Sequence, residues 1–264
     1  MTKMTLLTAC WNSAGTIGDT LKSVNAQTYA DIDHIIIDGA SKDDTVKICE
    51  DLGQRITKIV SEPDKGIYDA YNKGLTHATG DIIGFINSDD FYCSDTVIQE
   101  VMTAFEDPAI DAVHANLVYV DPEDTTKIER HWKSRQITRA RLETGFIPAH
   151  PTVFLRRNVY EKVGNFDLTY RLAADYEFLL RTFYTHQIPS RHIPQIWVRM
   201  RSGGATGGNF QSVMRQNREI RAAQEKHGLQ CSPVRFWTTK TSDRLMQRLR
   251  GRFVTAPNIL APAG

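Results

Sequence analysis

The sequence predicts an α/β protein with a mostly parallel central sheet. Short apolar runs alternate with amphipathic segments from the start of the chain to about residue 105. That alternation is the pattern of βαβ units joined by right-handed crossovers. Each run ends on a polar residue: Asn12, Asp38, Asp64 with Lys65, and Asp89 with Asp90. In an open α/β sheet this carboxyl edge is where ligands bind. A chain of 264 residues, 41% hydrophobic and 24% charged, can bury such a sheet between helices.

Residues 5–10 read as the first strand. An amphipathic helix follows to about residue 27, with Asn12 or Ser13 as its cap. Residues 34–38 form the second strand, and Ser41 with Asp44 has capping-box spacing before a helix over 43–52. The third strand, 56–60, ends in Pro63-Asp64-Lys65-Gly66, and a helix over 67–78 follows. The fourth strand, 82–86, delivers Asn87, Asp89 and Asp90 to its own end.

After Asp107-Pro108 the pattern changes. Residues 112–120 are strand-like, 127–132 return as a second strand, and 137–145 fit either class. A rigid Pro148-Ala149-His150-Pro151 turn precedes a strand at 152–155 and a short helix at 157–163. A helix from Ala174 carries Asp175 in its first turn, where the helix dipole favours a carboxylate. Residues 191–200 read as a strand, 201–208 as a flexible glycine-rich stretch and 210–226 as a long helix. The chain thus divides into a ligand-binding half (1–105), a second half of the same domain (106–230) and a helical tail (231–264).

In that tail Arg235, Lys240, Arg244, Arg248, Arg250 and Arg252 stand against one acid, Asp243. Phe236, Trp237, Leu245, Met246, Leu249 and Phe253 interleave with them. Such a helix either lies on anionic lipid or packs on the domain as a solvated surface helix. Residues 255–264 are expected to be disordered.

The totals exclude several classes. The net charge of +1 creates no global field for nucleic acid. Cys10, Cys49, Cys93 and Cys231 match no zinc or redox spacing, and reduced thiols in the cytoplasm are the expectation. The N-terminal apolar stretch is too short for a signal peptide, and no run reaches the ~18 apolar residues of a membrane span. Any membrane contact is expected to be peripheral, at the inner face of the plasma membrane through the basic tail.

The strand-end chemistry points to a phosphorylated ligand. The first turn has neither G-x-G-x-x-G nor G-x-x-x-x-G-K-[ST], so phosphate charge must be met by a metal and a basic group. Adjacent carboxylates repel unless a cation sits between them. Asp89 and Asp90 suit Mn²⁺ or Mg²⁺, which also bind substrate phosphates. The plainer alternative is a turn in which these residues cap the next helix.

Together the motifs carry a resemblance. These are the Thr-Ala-Cys-Trp-Asn-Ser strand end, residues 35–45 (Ile-Ile-Ile-Asp-Gly-Ala-Ser-Lys-Asp-Asp-Thr), residues 61–74 (Ser-Glu-Pro-Asp-Lys-Gly-Ile-Tyr-Asp-Ala-Tyr-Asn-Lys-Gly) and residues 78–90. His150-Pro-Thr-Val-Phe, Gly164-Asn-Phe-Asp, residues 174–181 and Met200-Arg-Ser-Gly-Gly continue it. In order and spacing the chain, over residues 4–227, resembles family 2 glycosyltransferases of the GT-A fold, the kind that builds bacterial cell-surface glycans.

The resemblance implies a Rossmann-like nucleotide-binding domain with an acceptor-side region. It also implies an inverting, metal-dependent transfer from a nucleotide-diphosphate sugar, with a UDP-sugar the first expectation. The acceptor would be a glycan or a lipid-linked molecule. Ala9 with Asn12, and Asp38, match positions that hold base and ribose. Asp64 and Lys65 match a loop that closes on the base. Asn87-Ser88-Asp89 stands where the family has Asp-x-Asp, which leaves Asp89 as the direct metal ligand with Asp90 assisting. Asp175 matches the catalytic base. His150 and Arg201 match positions near the pyrophosphate or acceptor. Asn87 in place of an acid also motivates a nucleotide-sugar-binding protein without catalysis, and the shared need for metal and phosphates motivates a nucleotidyltransferase.

Overall fold

The computed structural model describes residues 2–203, 210–229 and 232–260. Residues 204–209 of the glycine-rich stretch, Cys231 and residues 261–264 lie outside them.

The first half builds as its periodicity requires: β1 (Met4–Cys10), α1 (Ile17–Asn25), β2 (Ile32–Asp38), α2 (Thr45–Leu52), β3 (Ile56–Ser61), α3 (Ile67–His77) and β4 (Ile82–Phe85). Then come β5 (Phe91–Tyr92), α4 (Val97–Ala104), β6 (Ala112–Val120), β7 (Ile128–Trp132) and α5 (Arg139–Leu142). The chain closes with β8 (Phe154–Arg156), α6 (Arg157–Val163), α7 (Ala174–Leu180), β9 (Ser190–Arg201), α8 (Phe210–Lys226) and α9 (Pro233–Gly251).

The strands form one curled, mostly parallel sheet in the order β3-β2-β1-β4-β8-β6-β9-β5, with β7 added beside β6. β8 runs antiparallel to both β4 and β6. The period-two alternation of β1 sends Leu7 and Ala9 to one face and Met4 and Leu6 to the other. Both faces are covered, as a parallel sheet demands. On the first face α3 is drawn close at Gly74, where a Cβ would lie 3.2 Å from both Ile37 and Leu7. That close approach sets the aromatic start of α3 over the carboxyl edge of the sheet.

Several local expectations are corrected. Neither Asn12 nor Ser13 caps α1 through its side chain; the Ser13 carbonyl accepts the amides of Thr16 and Ile17 instead. Asp43, not Ser41, takes the amide of Thr45 at the start of α2. Thr152 belongs to a short 3₁₀ turn, so the strand there begins at Phe154. The two-residue β5 is too short to leave a periodic signal, and its ladder to β9 supplies it. Residues 255–260 are held rather than disordered: Arg199 donates to the carbonyls of Ala256 and Pro257, and Ile259 donates to the carbonyl of Cys93. Among the described residues no helix is long and apolar enough to cross a membrane.

His34 is fully buried between strands, with Nε2 2.9 Å from the Thr8 hydroxyl, and burial depresses its pKa to about 4. The folded chain therefore resists a proton that the unfolded chain accepts near pH 6.5. The stability linked to His34 is complete above pH 6.5 and falls as the pH drops toward 4. A His34→Gln variant should lose most stability at pH 7–8. Its deficit should shrink by about 1.4 kcal/mol per pH unit between pH 6 and 5. Urea unfolding of both proteins across that range checks it; a constant deficit contradicts it.

Candidate active site

The loop after β4 is assembled from inside. Asn87 accepts the Tyr71 hydroxyl on Oδ1 and donates from Nδ2 to Asp90 Oδ2 over 2.7 Å. Thr20 on α1 donates to the carbonyl of Asp90, and Ser88 meets Ser13 over 2.9 Å. Arg201, the last residue of β9, closes the loop. Its guanidinium donates to the Asp89 carbonyl at 2.6 Å and pairs with Asp19 on α1 at 2.5 Å, and its amide donates to Asp90 Oδ1. Arg201 was expected beside pyrophosphate or acceptor; it is 8% exposed and spent on this latch.

Asp90 was expected to share a metal, but its carboxylate is fully buried and already bonded on both oxygens. Burial, with Asp89 next to it, pushes its pKa well above the usual carboxylate range, while Asn87 and Arg201 pull it back. Asp89 is half-buried, and among the described residues its carboxylate accepts from no neighbour's side chain. Burial raises its pKa as well. A carboxylate left open at a sheet edge fits one hard cation whose other ligands are phosphate oxygens and water. Among the described residues no cluster of three or more His, Cys, Asp or Glu offers a cage made wholly of protein ligands.

The ends of β1, β2 and β3 converge beside this loop. Asn12 adopts φ 49° and accepts the Lys42 amide, while its own amide donates to Ser41. Gly39 lies against Asp64: a Cβ there would sit 2.6 Å from Asp64 Oδ2 and 3.4 Å from the Trp11 ring. Trp11 is 67% exposed at this edge, a large apolar ring in water among polar strand ends. Lys65 is exposed. Two residues expected to touch a nucleotide are instead committed inward. Asp38 is fully buried and accepts from Ser41 and Ser61. Ala9 is buried in β1 opposite Ile37.

Asp175 approaches helix α3 from the far half of the chain. It is half-buried at the start of α7, and Oδ1 accepts the Tyr68 hydroxyl at 3.0 Å and the Tyr176 amide at 2.8 Å. Burial and this carboxylate hold the Tyr68 pKa well above its usual value, so Tyr68 stays a donor. Tyr71, one turn along α3, lies within electrostatic reach of Asp89, Asp90 and Asp175. His150 sits among the rings of Phe85, Tyr71 and Phe166 at 5.2–5.8 Å, and burial lowers its pKa, keeping it neutral. Tyr68 also walls a cleft of about 680 Å³ with Lys65, Arg171 and Arg215 on its rim.

The carboxylates stand out in the sequence, but the side chains that join them do not. Tyr68 and Tyr71 carried no site expectation, although their i,i+3 spacing puts both on one face of α3. Trp11 carried no expectation, and Asp19 gave no signal because its partner is far away in sequence.

The carboxyl edge of a parallel α/β sheet, a half-open carboxylate and a second carboxylate across a tyrosine pair define a transferase-like cleft. The family model for glycosyl transferase family 2 matches residues 5–164, and the chain belongs to that family. It is 30% identical over 181 residues to an uncharacterized glycosyltransferase of Mycobacterium tuberculosis, covering 67% of this chain and 68% of the relative. It is 29% identical over 191 residues to a PGL/p-HBAD biosynthesis glycosyltransferase of Mycobacterium bovis, covering 69% and 70%. The fold is similar to S. aureus TarS 1-349 in complex with UDP, with a TM-score of 0.65 and 16% identity over 84% of this chain and 65% of that one. It is also similar to glucosyl-3-phosphoglycerate synthase of Mycobacterium tuberculosis in complex with Mg²⁺ and UDP, with a TM-score of 0.61 and 17% identity over 88% and 81%. The mostly parallel GT-A sheet is thereby the fold of this chain.

The Tyr71–Asn87–Asp90 chain gives Asn87 a reason to be an amide. An ionised carboxylate there could not donate to Asp90 and would face it across a buried contact. Asn87→Asp should cost about 1–3 kcal/mol of stability at pH 7, read from urea midpoints. Wild-type stability in that variant contradicts the bridging role.

Proposed function

We propose that this protein is an inverting glycosyltransferase moving a sugar from a nucleotide-diphosphate sugar to a hydroxyl of a glycan or lipid-linked acceptor. Asp175 is the base. The carrying observation is the Tyr68–Asp175 bond at the wall of the cleft, within one helical turn of the tyrosine that reaches the Asp89 loop. UDP is the favoured donor nucleotide, since similarly folded proteins are known in complex with UDP or UDP-GlcNAc.

Tyr68 and the Tyr176 amide fix Oδ1 of Asp175, and Oδ2, which accepts no hydrogen bond among the described residues, takes the acceptor proton. As that proton leaves, the acceptor oxygen bonds to the anomeric carbon and the bond from that carbon to the phosphate oxygen breaks. The electron pair departs with the nucleoside diphosphate. One base suffices because the displacement is single; a hydrolase working by inversion would need a second carboxyl across the bond. Asp89 would hold Mn²⁺ or Mg²⁺, which would supply positive charge for the departing diphosphate. Trp11, Asn12 and Asp64 form the edge on which the base rests, and Asp38 supports it from beneath through Ser41 and Ser61. His150 floors the site as a neutral ring. Lys65 and Arg171, on the rim, face the remaining phosphate or acceptor charge.

Asp175→Asn should lower kcat by about 10²–10⁴ while UDP affinity stays within a few-fold of wild type. Tyr68→Phe should lower kcat less, again without weakening UDP. UDP release from UDP-sugars with Mn²⁺ and an acceptor panel, paired with UDP calorimetry, checks both. Full turnover in Asp175→Asn overturns the base assignment.

A further inference from the structure

Helix α9 packs the wrong way round for a solvated surface helix. Phe236 in its first turn is buried in the core, but from Asp243 onward the inward face, against β7, is polar or small. Asp243, Gln247 and Arg250 are half-buried there, Gly251 is fully covered, and a Cβ on Gly251 would meet the Glu129 carbonyl at 2.9 Å. Oε1 of Gln247 is buried without a hydrogen-bond partner among the described residues. The outward face carries the apolar side chains: Leu245 is 59% exposed, Met246 41% and Leu249 43%. Phe253, 87% exposed, continues the stripe in the turn that follows, where its amide donates to the Arg250 carbonyl. At about 100° per residue these four fall within an arc of roughly 100°. Arg244, Arg248 and Arg252 run along one flank of that arc, exposed and without an ion pair among the described residues. A folded chain turns apolar side chains outward in a row when another apolar phase is to cover them.

We infer that this face lies on an anionic lipid surface, with Leu245, Met246, Leu249 and Phe253 in the acyl boundary and Arg244, Arg248 and Arg252 among the headgroups. Charge decides the occupant. A second copy of the same face would bring three unpaired arginines against three more, whereas anionic headgroups complement them. The contact also places the chemistry. Arg130 stacks over Tyr119 at 4.0 Å, and Tyr119 lies within electrostatic reach of Arg244 on one side and of Asp90 and Asp175 on the other. A helix seated on lipid by this face would hold β7 and the Tyr119 side of the sheet toward the bilayer. That a membrane-borne acceptor is delivered there rests on the proposed transferase reading; the contact itself does not.

The full chain is sedimented with vesicles of phosphatidylcholine alone or of phosphatidylcholine with an equal part of phosphatidylglycerol, without donor or acceptor. The wild type should bind the anionic vesicles at least about tenfold better than the neutral ones. Leu249→Glu with Phe253→Glu should lose that binding while keeping the wild-type melting curve and UDP affinity. Phe253→Ser alone, beyond the helix end, should weaken it with no effect on folding. Equal binding to both vesicles, or undiminished binding by the variants, overturns the proposal. So does a wild-type dimer by light scattering that the double variant dissociates without change in vesicle binding. Because no turnover is read, failure here leaves the transferase reading standing, and failure of Asp175→Asn leaves this one.

Discussion

Gathering carboxylates at one edge of a sheet is the constraint on which this structure turns. Asp19, Asp89 and Asp90 lie close together, and like charges in a partly buried site destabilise the fold unless they are neutralised or bonded. Arg201 meets this at the end of β9, reaching the Asp89 carbonyl and Asp19 with its guanidinium and Asp90 with its amide. Asn87 meets it from the other side by donating to Asp90. With Asp90 buried and satisfied, the chain can leave Asp89 open. The open carboxylate is thus a product of the closed one behind it.

The second constraint is distance along the chain. The Asp89 loop and Asp175 belong to different halves, and the proposed reaction requires them to meet on one substrate. Helix α3 spans the gap with Tyr71 on Asn87 and Tyr68 on Asp175. Its position is set by packing: Gly74 lets the helix sit close on Leu7 and Ile37, and the rings of Phe85 and Phe166 enclose Tyr71. A single rigid helix therefore relates the two carboxylate sites, the kind of preorganisation that keeps reacting groups in register.

Much of this was legible in the sequence because it is periodic or local. The strands at 112–120 and the helices at 157–163 and 210–226 follow from apolar spacing and turn residues, and the structure keeps those bounds. The polar strand ends were legible too, since an Asp after an apolar run is a local signal. What the sequence could not show was direction. Asp38, Asp90 and Arg201 read as ligand contacts, but partners distant in sequence turn them inward. Tyr68 and Tyr71 carried no site signal because a tyrosine's ring suits packing and its hydroxyl suits a polar site. The tail's amphipathic pattern was plain, but which face met the domain was not. β7 takes the polar face, so the apolar one is left outside.

The account turns on Asp89 as the open end of an otherwise closed carboxylate cluster. Calorimetric titration of UDP with and without Mn²⁺, in the wild type and in Asp89→Asn, tests it most directly. The account predicts that Mn²⁺ tightens UDP binding at least about tenfold in the wild type and changes it little in the variant. An equal effect of Mn²⁺ in both proteins, or none in the wild type, would contradict it.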